Sequence, residues 1–253
     1  MARILTDETS LHRKRDSLKK ESAVLQKLVW IETGLAAILL ATGVALLVLG
    51  KGGGGLLAAG IVLGFLAVGH GFKVRENKRE HQSVSAGLKG EMSVTQVLNN
   101  ALGNDSYILN DLSVKHGWKR AQMDHLVVTP RGIFVVETKT WRGEIDGGED
   151  DDTWTQVRRP GDKPIKLRNP IAQCKRQVEV LRLFLKDEGV DWPHVYPILV
   201  SRSPEAMFWV RSSTVPLLKP PEAARYIVKQ TSDRQYTAEE VTAVIELLKK
   251  KGR

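Results

Sequence analysis

The chain of 253 residues has a single cysteine, Cys174. No intramolecular disulfide can form, which suits a reducing compartment. Its six histidines are scattered, and none pairs with a cysteine at zinc spacing, so a structural zinc site is not expected. No helix-turn-helix, zinc finger or RNA-binding aromatic signature occurs, so sequence-specific readout of nucleic acid is not suggested. The first strongly apolar run follows roughly thirty polar residues, too far along for a secretory signal peptide.

Charge is missing from one stretch above all. Residues 33–72 carry almost none, whereas the rest is charge-rich and the net charge is +9. That balance favours a polyanionic partner, nucleic acid or anionic lipid, over a merely solvated lysine surface. Residues 33–50 and 56–72 are two apolar runs separated by Lys51 and the glycines Gly52 to Gly55. The first is near the roughly 17 to 25 residues that span a bilayer. Small residues at Gly43, Gly60 and Gly64 allow close helix approach, so a transmembrane helical hairpin is expected over 31–73. A buried soluble hairpin needs only one apolar face, and these runs are apolar all round. The second run is shorter, and a re-entrant loop is the other arrangement open to it. Arg13, Lys14, Arg15, Lys19, Lys20 and Lys27 precede the pair, and Lys73, Arg75, Lys78 and Arg79 follow it. The positive-inside rule then puts both termini in the cytoplasm of a bacterial-type cell, at the inner membrane. Residues 7–30 predict an amphipathic helix within a cytosolic segment 1–30. Its Leu11, Leu18, Leu25 and Leu28 stripe suits packing or homo-oligomer contact.

Beyond a polar linker at 74–85, the periodicity predicts a helix over 86–102 and strands at 106–112, 122–128 and 133–139. A helix opens at Asn169-Pro170 and runs to about Lys186. A strand at 196–201 and one or two short strands within 208–218 follow. Pro221 opens a short helix, and Thr237 with Glu240 makes a capping box for the last one. The expected class is α/β: a mixed central sheet flanked by helices over 86–220, with C-terminal helices over 221–253 and the all-α hairpin in front.

Asp124, Glu137 and Lys139 carry the chemistry. Glu137 and Lys139 share a face of one strand. A hairpin centred on Pro130-Arg131 pairs Thr129 with Gly132, Val127 with Phe134, and Asp124 with Glu137. Opposed carboxylates repel, and a divalent cation relieves them; carboxylates with water and substrate phosphate are the usual magnesium ligands. The lysine can orient water or offset developing phosphate charge. A surface salt-bridge cluster is the competing reading of the same spacing. Trp141 and Trp154 read as packing residues, and His125 lies on the face opposite Asp124. The acidic run Glu144, Asp146, Glu149 to Asp152 reads as a solvated hairpin tip beside the site, able to repel nucleic acid. Among the basic residues after it, Arg168, Lys175 and Arg176 are candidates for tracking phosphates.

With Asp124 and Glu137-Thr138-Lys139 in view, the chain resembles the PD-(D/E)xK nuclease core, and more narrowly the nuclease-related domain (NERD) family. Gly87 to Glu91, Leu109 to Leu112, Gln122 to His125, Gly132 to Gly143, Trp154, Asn169-Pro170 with Gln173, and Pro197 to Ser201 carry the likeness in order. The resemblance covers about residues 84–202 and implies a restriction-endonuclease-like fold. It implies that Asp124, Glu137 and an accessory Glu91 hold Mg2+ or Mn2+, that Lys139 is the catalytic lysine, and that Gln173 binds substrate or water. The expected function is a membrane-anchored, metal-dependent nuclease acting on DNA or RNA. The alternative is a non-catalytic membrane protein that binds nucleic acid or serves as a scaffold with the same fold.

Overall fold

A computed structural model describes residues 1–6 and 9–252. The chain divides into two compact units, Ser10–Ala86 and Met1–Thr9 with Gly87–Arg253.

The first unit is a helical hairpin. Helix α1 spans Ser10–Val48 and α2 spans Gly54–Ala101, of which the part up to Ala86 belongs here. Both are long and apolar enough to cross a membrane. Ile38, Val44, Ile61 and Phe65 are exposed on them, a surface suited to lipid rather than water. The turn depends on glycine: Gly50, Gly52 and Gly53 have φ of 67°, 84° and 131°. A Cβ on Gly53 would lie 2.3 Å from the Gly43 carbonyl oxygen. Polar ties stand outside the glycine turn, Lys14 to Glu80 at 2.7 Å and His70 to Glu32 at 2.9 Å.

Both helices outrun the apolar segments. Residues 10–30 continue into α1 rather than forming a separate element, and positions 7 and 8 of the expected helix lie outside the described residues. The stretch 74–85, expected as a linker, is helical within α2. No glycine or proline interrupts residues 72–86, and Lys, Arg, Glu and Gln are strong helix formers, so polarity alone does not end the helix.

The second unit is a mixed α/β domain. Its strands, in chain order, are β1 Arg3–Ile4, β2 Tyr107–His116, β3 Lys119–Thr129, β4 Gly132–Lys139, β5 Gly143–Gly147, β6 Thr153–Val157, β7 Ile165–Arg168, β8 Val195–Ser201, β9 Ala206–Val210 and β10 Leu217–Leu218. Its later helices are α3 Pro170–Asp187, α4 Pro220–Lys229 and α5 Ala238–Lys251. The main sheet has the order β1-β2-β3-β4-β8-β10, and a second sheet has β7-β6-β5-β9. Strands β2, β3 and β4 form an antiparallel meander, whereas β8 pairs parallel to β4. That parallel pair needs a crossover, which the β5–β7 segment and α3 supply.

The central strand β4 is buried on both faces and accordingly reads as a continuous apolar run. Ile133 and Val135 join one core with Val180, Leu181 and Leu185 of α3 and Val244 and Leu248 of α5. Phe134 and Val136 join the other with Val94 and Leu98 of α2 and Ala223 and Ile227 of α4. A third core, around Trp154, Ile145, Ile171 and Cys174, seats the second sheet against the start of α3. The expected strands and later helices all form, and the Thr237–Glu240 capping box is present. The expectation lacked β1 and the whole β5–β7 run. Those strands are short and polar, and they are specified by pairing rather than periodicity.

Asn169 sets the position of α3. Its side-chain oxygen accepts from the Ile171 and Ala172 amides at 2.9 and 3.2 Å. Its amide nitrogen donates to the carbonyls of Gly148, Glu149 and Asp151 at 3.2, 2.8 and 2.7 Å. One buried side chain thus caps the helix and holds the β5–β6 turn. Asn169→Ala is expected to cost about 2–4 kcal/mol, the cap plus carbonyls left unsatisfied. Asn169→Asp keeps the cap but turns an acceptor on those carbonyls, and should lose at least as much. Denaturant midpoints of the detergent-solubilised chain measure both, and an Asp variant as stable as the wild type would contradict the donor role.

Candidate active site

The site forms where β3 and β4 part. The β3–β4 ladder keeps the expected register from Thr129↔Gly132 through Val127↔Phe134 to His125↔Val136 and stops there. At the next position Asp124 turns its carboxylate inward, and its Oδ2 accepts from the Thr138 amide at 2.7 Å. Strand β2 breaks at the same level. Asn110 pairs with His125 and Leu112 with Met123, while Asp111 between them is left out of the pairing at φ 55°. The core-facing residues shift parity across this break, from Leu126 and Val128 to Ala121 and Met123 on β3 and from Leu109 to Leu112 and Val114 on β2. A left-handed non-glycine residue is a strained conformation of the kind that collects at functional sites.

Glu137 is buried and saturated with donors. Lys139 Nζ donates to its Oε1 at 2.6 Å, and Gln173 Nε2 donates to the same oxygen at 2.6 Å. Gln177 Nε2 donates to Oε2 at 2.7 Å. Gln173 closes a triangle by accepting from Lys139 Nζ through Oε1 at 3.1 Å. Burial works against the Lys139 ammonium, but Glu137 outweighs it and raises the lysine pKa. Asp124 is raised well above the usual carboxylate range, by burial first and then by Glu137 and Glu91. Glu91 rises to about 7 through burial, with Asp111 and Glu137 adding to the effect. Cys174 is buried beside this cluster, and burial pushes its thiol pKa up, so it is an unreactive packing residue.

Opposite Asp124, His125 is buried with its pKa lowered to about 3 by burial. Its Nδ1 lies 2.8 Å from Asn110 Oδ1 and its Nε2 lies 3.1 Å from Thr138 Oγ1. This neutral network ties β2, β3 and β4 together behind the site.

Residues 86–201 match the family model of the nuclease-related domain. This segment is similar to the NERD family. The match covers just under half of the chain. The chain is also similar to a protein of Bacillus anthracis described as uncharacterized, 29% identical over 113 residues. That alignment covers 44% of this chain and 51% of the relative, so the chain spans about half of the relative's length. No solved structure matches the chain.

Within the matched segment, Glu137, Lys139 and Gln173 share direct hydrogen bonds, and Asp124 and Glu91 lie within electrostatic range of Glu137. Among the described residues, no three His, Cys, Asp or Glu side chains form a cluster able to hold a metal ion. Glu91 therefore does not complete a three-carboxylate set with Asp124 and Glu137. The expected basic group divides. Arg168 and Arg176 line a cleft of about 770 Å³ with Arg120, whereas Lys175 faces elsewhere and pairs with Glu149. The acidic run sits at a hairpin tip, but it is latched as well as solvated: Asp146 and Asp151 pair with Arg211, and Glu149 pairs with Lys175. Trp154 is buried and Trp141 packs against it, as expected of packing residues.

Gln177 and Asp111 were not singled out as site residues from the sequence. Gln177 follows Gln173 by one helical turn, a spacing that shares a face and was the available signal. Asp111 had none, because its conformation depends on the tertiary break in β2.

Glu91 yields a pH signature in the metal-free protein. Its folded pKa of about 7 exceeds the ordinary 4.5, so between those values the folded chain holds a proton that the unfolded chain has released. The stability contributed by this group is full below pH 4.5 and is lost as pH rises through 7. In EDTA, Glu91→Gln should match the wild type near pH 4.5 and exceed it above pH 7 by about 2 kcal/mol, after allowance for partial exposure. Melting curves across that range test this, and a difference independent of pH would contradict it.

Proposed function

We propose that the chain is a membrane-anchored, metal-dependent phosphodiester hydrolase acting on nucleic acid, DNA first among the candidates. The observation that carries the reading is the buried Glu137 carboxylate, clamped by Lys139, Gln173 and Gln177 beside a second carboxylate, Asp124. A sheet gains nothing structurally from placing these acids together, since each disfavours the other's ionisation.

The donor chemistry fits Mg2+ or Mn2+. The groups present are hard oxygens, and magnesium is commonly held by one or two carboxylates with water and substrate phosphate filling the remaining positions. Two buried oxygens in the same wall of the domain, Gln177 Oε1 and Ser201 Oγ, lack hydrogen-bond partners among the described residues, as suits a site that takes water or substrate. Asp124 and Glu137 would hold the ion, with water and substrate phosphate in the remaining positions. The ion when bound supplies Lewis-acid charge to the phosphate and lowers the pKa of a nearby water.

The protein's own groups do the rest. Lys139 remains protonated, and its ammonium offsets charge developing on the phosphate oxygens as water adds at phosphorus and the P–O bond breaks. Gln173 holds that ammonium in place and is the first polar side chain on the way to the Arg168–Arg176 cleft. The arginines attract the phosphate chain without reading its sequence. The α1–α2 hairpin would supply the anchor, and its positive flanks support a cytoplasmic position for the catalytic domain at a bacterial-type inner membrane.

The test uses the full chain in detergent with labelled single- and double-stranded DNA and RNA, in magnesium, manganese or EDTA. Asp124→Asn, Glu137→Gln and Lys139→Met should each lower metal-dependent cleavage by about 10²–10³-fold while circular dichroism stays native. Glu91→Gln should lose less. A folded wild type that cuts nothing with either ion rejects hydrolysis and leaves the binding or scaffold role.

A further inference from the structure

The β2–β3 hairpin ends in an exposed tryptophan that neither the fold nor the catalytic cluster uses. His116 pairs with Lys119, which leaves Gly117-Trp118 as a two-residue turn with Gly117 at φ 57°. Glycine at the first central position is what such a turn requires, and the second position needs no aromatic. Trp118 is nonetheless 86% exposed, the most exposed of the large apolar side chains. It cannot be a packing residue, and it stands on a rigid support. Lys119 pairs with Glu179 of α3 at 2.6 Å, and His116 pairs with Asp187 at 2.5 Å.

Its surroundings point to a polyanion. Strand β3 runs from this tip past Arg120 to Asp124. Arg120 forms one wall of the cleft, whose other side includes Arg168, Arg176, Gln173 and Gln177, with Asp152 as the one acid. Gln173 and Gln177 are the side chains that reach from this cleft to Glu137. Exposed Lys115 adds charge on the other arm of the hairpin. A basic groove that ends in a projecting aromatic is the standard means of holding a nucleic-acid strand whose bases are accessible: cations track the phosphates, and the ring stacks on a base. In a closed duplex, neighbouring bases already cover each base face, so the ring has no partner there.

We propose that the cleft and Trp118 bind single-stranded nucleic acid, either a free strand or a strand end, with one base stacked on the Trp118 indole. This rests on the phosphodiesterase reading and names its substrate class. Six residues of strand separate Trp118 from Asp124, about 20 Å at roughly 3.3 Å per residue. At roughly 3.4 Å per stacked nucleotide, the stacked base lies within about six nucleotides of the bond to be cut.

The experiment measures binding apart from cleavage. Fluorescence anisotropy of labelled single-stranded and duplex 20-mers, in EDTA, is compared for the full chain in detergent and for Trp118→Ala and Trp118→Phe. The side chain is largely exposed, so neither variant should disturb the fold. Trp118→Ala should weaken single-strand binding about 5- to 150-fold, Trp118→Phe should restore most of it, and duplex affinity should change little. Single-strand affinity unchanged in Trp118→Ala, or lost equally for both probes, overturns the proposal. So does loss of binding to anionic vesicles with none for DNA, which would assign the tip to a lipid surface. Cleavage in magnesium is scored separately. Strong Trp118-dependent binding without cleavage rejects the hydrolase and keeps the strand site, whereas cleavage with Trp118-independent binding does the reverse.

Discussion

One buried carboxylate organises the domain. Glu137 sits near the end of the central strand, where an unpaired charge would be strongly destabilising, and it is tolerated because three donors surround it. Lys139 comes from the same strand, and Gln173 and Gln177 come from successive turns of α3. The clamp therefore joins sheet to helix through polar contacts at the point where the apolar layers end. Apolar packing of α3 on Ile133 and Val135 sets the distance between strand and helix. The glutamines fix the rotation of the helix, and Asn169 fixes where it starts.

The second constraint is the break in the sheet. A regular ladder would have set Asp124 directly opposite Glu137 and left both side chains standing on the surface of the pleat. The ladder stops one residue early, and the Asp124 side chain takes the Thr138 amide that continued pairing would have engaged. The Asp111 backbone bends with it on β2. Behind the break, the neutral His125–Asn110–Thr138 network replaces the lost strand bonds, so the carboxylates are aimed without loosening the sheet. The position follows the general rule for such sheets, a crevice at the carboxyl ends of parallel strands, here β4 and β8.

The helical unit is built from helices long and apolar enough to cross a membrane. Its glycines allow a tight return and close helix approach, while its large apolar side chains point outward. Outward apolar side chains over a span of that length are stable against hydrocarbon and unfavourable in water. The Lys14–Glu80 ion pair and the Glu32–His70 contact lie away from the glycine turn.

The sequence alone determined the apolar hairpin, the α/β class, the β3–β4 register and the nearness of Asp124, Glu137 and Lys139 on adjacent strands. These depend on local periodicity, on a short turn and on residues two apart on one strand, all of which can be counted along the chain. It also carried the capping residues of α3 and α5, because caps act within a few residues. The continuation of α2 through 74–85 was in the sequence too, as a run of strong helix formers without glycine or proline, although its polarity reads as a linker. Only the tertiary structure showed the second sheet, the left-handed Asp111, the second glutamine on Glu137 and the separation of Lys175 from Arg168 and Arg176. Each of these depends on residues far apart in sequence meeting across a packed interface, and local spacing carries no record of such a meeting.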